Sequence, residues 1–226
     1  KKVSVRGFNL NLPSSSLALS KFELDLTPIN DTANILDYAT LDCIIAPSYI
    51  APKDIAALTP SLQRFDDVIN IQGRISGRTD DLTISDFSLD HGDNIHLLAN
   101  SEIKDIRDAD KMYILGSIDE LTLNSNEIEG VINNFSKNKI QLPKQLKNIG
   151  RISFEGDISG YLNQLTAFGS LETALGIIKT DVLFGFNPRQ GISSYAKGKI
   201  YTSEFKIGQL LDNKDLDKVS LNLSVD

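Results

Sequence analysis

The residues best suited to chemistry in this chain are its two histidines, His91 and His96, set among carboxylates in "DHGDNIH". His91 with Asp90 and Asp93 is the most metal-like grouping. Zinc wants three or four converging ligands on defined spacing, and this stretch does not supply them. It reads instead as a hairpin turn, with Gly92 at positive φ and Asp90 and Asp93 bonding the local backbone. The acidic groups Asp80–Asp81, Asp105–Asp108–Asp110 and Asp212–Asp215–Asp217 come next. "DIRDADK" is spaced loosely like a calcium loop, but lacks the central glycine and the closing bidentate Glu. All three groups read as solvated turns. Carboxylate-pair hydrolysis needs two carboxyls about 5–10 Å apart in a cleft, and no pair is brought together by the sequence. There is no nucleophile elbow and no phosphate loop in a strand–turn–helix setting. Cys43, in "LDCII", is the one cysteine. It reads as a small buried hydrophobe and leaves no intramolecular disulfide or cysteine-based zinc cluster. The expectation is a non-enzyme with no metal and no cofactor.

Composition narrows the partners. The net charge is −7 with acidic and basic residues interspersed. No basic stripe favours nucleic acid, and no polybasic patch favours anionic headgroups. Tryptophan is absent and aromatics are 7%, which disfavours a surface that grips sugar rings. No apolar run is long enough to span a bilayer as a helix. The chain opens inside one alternating pattern, "KKVSVRGFNLNL", and ends inside another, "DKVSLNLSVD". It is expected to be an internal piece of a longer protein.

Strands must position whatever function there is, because period-two alternation dominates. Val3, Val5, Phe8, Leu10 and Leu12 begin it, with a bulge expected near Gly7. Ile69, Ile71, Gly73 and Ile75 share one face. Leu82 and Ile84, then Phe87 and Leu89, form the return. Ile95 and Leu97, Ile114 and Ile118, and Ile152, Phe154 and Ile158 continue the pattern. A dozen or more strands at meander spacing predict an antiparallel sheet. Two stretches break the period. Residues 52–65 have Pro52 at a first helical position and Pro60 as a stop. Residues 125–136 carry apolar residues at 3–4 spacing, with Asn124 or Ser125 as N-cap. The best internal boundary falls at "KNKIQLPKQLKNIG", giving modules of residues 1–140 and 141–226.

One phrase occurs twice. "GRISGRTDDL" (Gly73 to Leu82) and "GDISGYLNQL" (Gly156 to Leu165) share Gly, Ile, Ser, Gly and Leu in the same places. Residues four apart in a strand lie on one face, so Gly73 and Gly77, like Gly156 and Gly160, leave that face bare on either side of an isoleucine. Glycine inside a strand weakens it unless a bend, bulge or close approach requires it. Ordinary turns are the other reading. A repeat of this length indicates stacked supersecondary units.

Taken in order, these pieces resemble the AsmA-like superfamily of bacterial envelope proteins, and within it the TamB-type translocation and assembly module proteins of Bacteroidetes-like bacteria. The resemblance rests on "LPKQLKNIGRISFEGDISG" (Leu142 to Gly160), on "GKIYTSEFKIGQLL" (Gly198 to Leu211), and on the helix-then-repeat order from about residue 50 to 215. It implies a mainly β fold: an elongated, twisted antiparallel sheet forming an open groove, a β-taco, with two short helices. It also implies a protein anchored in the inner membrane, spanning the periplasm, whose apolar trough carries phospholipid acyl chains to the outer membrane. Such proteins are linked to outer-membrane protein assembly through an Omp85-class barrel. Under that implication the groove is lined by Ile69, Ile71, Ile75, Leu82, Ile84, Ile95, Leu97, Ile114, Ile118, Ile152, Phe154, Ile158 and Leu165. Gly73, Gly77, Gly156 and Gly160 serve the backbone.

Alternation alone does not choose between a trough wall and a sealed core. A structural or adhesive β-repeat with a closed core therefore stands beside the lipid conduit, and a carboxylate hydrolase ranks last.

Overall fold

The alternating pattern becomes twelve strands in the computed structural model. It describes residues 1–26, 39–55, 68–135 apart from 79, 93 and 109, 141, 143–185 apart from 162, and 195–226. The strands are β1 (Lys2–Leu12), β2 (Ser15–Asp25), β3 (Thr40–Ile50), β4 (Ile69–Arg78), β5 (Asp81–His91), β6 (Ile95–Lys104), β7 (Tyr113–Asn124), β8 (Arg151–Tyr161), β9 (Gln164–Thr173), β10 (Gly176–Gly185), β11 (Tyr195–Phe205) and β12 (Val219–Val225). They form one antiparallel sheet in strict sequence order. The sheet is open: β1 and β12 are its edges and do not meet. β7 pairs with β8 from Tyr113↔Tyr161 to Asn124↔Arg151, so the sheet runs unbroken past residue 140.

Helical segments recur with a period of four strands. α1 (Pro52–Ile55) follows β3, α2 (Ser125–Phe135) follows β7, and α3 (Ile207–Leu211) follows β11. In an antiparallel meander these three strands run the same way, so the helices gather along one side of the sheet. The Asn124 side-chain oxygen caps α2 by accepting from the Asn126 N–H at 3.1 Å, one of the orphan donors at a helix start. A 3-10 turn, Lys144–Ile149, packs between α2 and α3. Asn148 Nδ2 donates from it to the Gln209 and Leu210 carbonyls at 3.2 and 3.1 Å, satisfying acceptors near the end of α3.

Two helices were expected and α2 matches one. α1 is the first turn of the expected 52–65 helix; residues 56–65 lie outside the described residues. α3 and the 3-10 turn were not anticipated. Each is shorter than the two turns over which helical periodicity becomes visible.

The alternation slips phase in five strands, and each slip is a bulge. Register shifts lie between Leu19 and Lys21 in β2, Ile45 and Ser48 in β3, Ile84 and Phe87 in β5, Ile118 and Leu121 in β7, and Thr202 and Phe205 in β11. A bulge adds a residue, bends the strand and increases its twist. It also leaves backbone donors without ladder partners. Neighbouring side chains accept from them: Ser48 Oγ from Ala18 N–H (3.0 Å), Asn100 Oδ1 from Asp86 N–H (2.9 Å), and Ser220 Oγ from Glu204 N–H (3.1 Å). Asp86 and Glu204 hold φ of 51° and 53°. The bulge expected near Gly7 is absent. Arg6↔Lys21 and Phe8↔Leu19 keep one register across it; Gly7 takes φ of 65° instead, and the bulge falls on β2.

The repeated glycines lie within β4 and β8, not in turns. Gly77 and Gly160 occupy matching places, opposite Leu82 and Leu165. Their φ values are 111° and 133°. A Cβ on Gly77 would overlap the Asp81 carbonyl oxygen, and a Cβ on Gly160 the Gln164 carbonyl oxygen. The twin phrase thus encodes two strands that approach the returning strand too closely for any side chain. Gly77→Ala and Gly160→Ala are each expected to lower the unfolding free energy by about 1–3 kcal/mol. Gly130→Ala, at an open position on α2, should be neutral or stabilise by up to about 1 kcal/mol. Urea midpoints at unchanged m-value read both; a Gly160→Ala protein as stable as the parent refutes the assignment.

Candidate functional site

All thirteen lining residues project to one face of the sheet. Strand register sets them in rows that cross it. One row is Ile71, Leu89, Leu97, Leu121, Phe154, Leu171 and Ile178. At about 4.8 Å per strand it runs roughly 30 Å across β4–β10 without a polar side chain. Beyond it lies a second row containing Ile69, His91, Ile95, Leu123 and Ile152. On the other side, Ile75, Ile84, Ile158 and Val182 share a row, and Leu82, Ile103, Ile114, Leu165 and Phe184 share the next.

Between these large residues the middle row mixes sizes: Gly73, Ala99, Gly156, Gly169 and Thr180 are small, whereas Phe87 and Ile118 are large. Ser101, Gly116, Ala167 and Gly198 thin the row beside it. Large aliphatic rows on either side of a row thinned at Gly73, Ala99, Gly156 and Gly169 make a trough perpendicular to the strands. The bulges of β5 and β7 fall at the same level, between Ile84 and Phe87 and between Ile118 and Leu121, so the two strands bend together. Ile118, Ile152, Phe154 and Val182 are only 8%, 7%, 7% and 1% exposed. A single sheet layer gives such burial where it curls around its own side chains. Most other lining residues are half-buried.

The same face extends beyond the thirteen. Val3, Val5, Phe8 and Leu10 on β1, with Phe22 and Leu24 on β2, carry it to one edge, and Leu221 and Leu223 carry it to the other. The same alternation marks these positions in the sequence. Cys43 sits on this face between Phe22 and Ile75. Burial pushes its thiol pKa up, which keeps it in the unreactive protonated form.

The groups that looked most like chemistry do not converge. His91 pairs with Ile69 and Ile95 on the apolar face, whereas His96 pairs with Asp90 and Thr122 on the polar face. The sheet therefore separates the two imidazoles. His96 Nδ1 lies 2.5 Å from Asp90 Oδ1. Gly92 takes φ of 56° in the turn between them; Asp93 is outside the described residues. Asp108 accepts from the Asp110 N–H at 3.1 Å and pairs with Lys111. These local bonds, the backbone donor foremost, hold its carboxyl below the usual range. Among the described residues no three His, Cys, Asp or Glu side chains gather as metal ligands.

On the polar face of β1–β4 the charges form a ladder. Lys2 pairs with Glu23 at 3.0 Å, Lys21 with Glu23 and Asp42 at 3.3 and 2.6 Å, and Arg74 with Asp42 at 2.9 Å. Arg74 grips Asp42 through two nitrogens, the strongest geometry for such a pair. Arg74 first, then Lys21, holds the Asp42 carboxyl below its ordinary pKa. Lys2 does the same for Glu23.

No family model, no curated protein and no solved structure matches this chain.

The lowered carboxyl pKa values fix a pH dependence. A carboxyl lowered on folding contributes stability that is complete above its unfolded pKa of about 4 and is lost as pH falls through the folded value. Asp42→Asn should therefore reduce stability at pH 7. The gap to the parent protein should shrink through the acid range and close near pH 2. Thermal unfolding from pH 7 to pH 2 measures it; a gap constant with pH would show that the ladder's charge contributes nothing.

Proposed function

We propose that this chain is a non-enzymatic segment of a cell-envelope protein that carries phospholipid acyl chains along its apolar trough. The observation behind this is the arrangement of the rows: a row thinned by glycine, alanine and threonine runs between rows of leucine, isoleucine and phenylalanine. The slot crosses strand after strand with no ionisable group along its floor. Each methylene it takes from water is worth about 0.8 kcal/mol. Such a surface can hold a lipid tail by area alone and let it slide, since successive strands offer equivalent contacts. Apolar side chains exposed at β1, among them Val3, Phe8 and Leu10, favour a path that does not end in a polar cap. In this reading the full-length protein is anchored in the inner membrane, lies in the periplasm, and assists outer-membrane biogenesis and protein assembly beside an Omp85-class barrel.

A photo-crosslinking residue at Ile75 or Ile158, on the trough side, is expected to capture phospholipid in cells. The same residue at Arg74 or Glu155, on the polar side, is expected to capture none. Equal capture on both sides would overturn the proposal. So would an absence of lipid at Ile75 and Ile158 in protein that also fails to bind an apolar dye, which would leave a closed structural or adhesive repeat.

A further inference from the structure

The polar face treats its charges in two ways. On β1–β4 they are zipped into the ladder of Lys2, Glu23, Lys21, Asp42 and Arg74. On β11 Lys197 pairs with Asp226 and Glu204 with Lys218, but a group of charges spanning β8–β11 is left apart. The side chains of Asp157, Asp181, Lys179 and Lys199 form no ion pair or hydrogen bond with any described residue, although register sets Lys199 directly across from Asp181. These four surround an open cavity of about 490 Å³, together with two aromatic rings, Phe168 and Tyr201. Phe168 is 59% exposed and Tyr201 49%.

The register makes the arrangement specific. Asp157 pairs with Phe168, and Phe168 with Asp181. A ring therefore stands between two carboxylates in one transverse row. Directly opposed residues have Cβ atoms about 4.5–5.5 Å apart, so a group resting on the ring is within reach of both. An aromatic face attracts a cation within about 6 Å, and guanidinium more often than ammonium. A carboxylate on each side adds two charge-assisted acceptors. Glu155 also lines the cavity, so its acidic groups outnumber its two lysines and leave a net negative charge for a cation to neutralise.

We propose that this outward cavity is a docking site for an arginine side chain of a protein partner. The guanidinium lies on Phe168 between Asp157 and Asp181, and Tyr201 and the lysine stems wall the cavity. The site lies on the face opposite the trough and does not depend on what the trough carries.

The test uses the full chain and three short blocked peptides: acetyl-Gly-Arg-Gly-amide, its citrulline counterpart, which has the same shape without the charge, and acetyl-Gly-Glu-Gly-amide. In an NMR titration the arginine peptide is expected to shift the Phe168 ring and the amides of Asp157 and Asp181 at millimolar concentration. The citrulline and glutamate peptides should bind at least tenfold more weakly. Phe168→Ala, and separately Asp157→Asn with Asp181→Asn, should weaken the arginine peptide at least tenfold while leaving the melting temperature within a few degrees of the parent. These side chains point to solvent, so the variants should fold. Equal shifts from citrulline, or arginine-induced shifts spread over the acidic surface and unchanged by Phe168→Ala, would overturn the assignment.

Discussion

Everything in this molecule depends on keeping apolar side chains on one face of a twelve-strand sheet. The side-chain period of a strand is two, so a slip of one residue would turn an entire strand inside out. The sheet curls as it goes, and curling requires extra residues on some strands. The bulges reconcile these demands. In each bulged strand three residues, not two, separate consecutive inward positions: Leu19 to Phe22, Ile45 to Ser48, Ile84 to Phe87, Ile118 to Leu121, and Thr202 to Phe205. The extra residue bends the strand while the face stays in phase. Ser48, Asn100 and Ser220 then accept from the backbone donors that three of these bulges free.

Much of this was legible in the sequence. Alternation marked the strands, and the three-residue spacings were visible as breaks between Ile84 and Phe87 and between Ile118 and Leu121. All thirteen lining residues share a face because alternation and hairpin register leave no other arrangement. The glycine phrase was legible in part: a bare position four residues from another required a bend, a bulge or a close approach, and the Asp81 and Gln164 carbonyls show which. What could not be read was the third dimension. Alternation does not say whether a sheet closes on itself, so the unclosed sheet appeared only when β1 and β12 failed to meet. The four-strand recurrence of helical segments was hidden because α1 and α3 are too short to register as periodic. The cluster around Phe168 was hidden because Asp157, Phe168 and Asp181 are neighbours only across strands.

The glycines link folding to the trough. Gly73 and Gly156 sit in the middle row, where any side chain would fill the slot and press on the opposite backbone. The feature that allows the backbones to close up is the same one that leaves space above them. The phrase recurs at β4 and β8, four strands apart, in the same place relative to the returning strand. This also explains why the chain has a repeat yet no catalytic signature: what is repeated is a cross-section.

A curled sheet with an apolar interior has its whole polar face to the outside, and that face is free to diverge. Charges there bear little on the core, since exposed pairs contribute modestly. On β1–β4 Lys2, Glu23, Lys21, Asp42 and Arg74 are matched to one another. On β8–β11 Asp157, Asp181, Lys179 and Lys199 stand apart around two exposed rings. The inner face is constrained by continuity along the sheet, whereas the outer face can vary module by module, so any feature that distinguishes one module from the next is to be sought there.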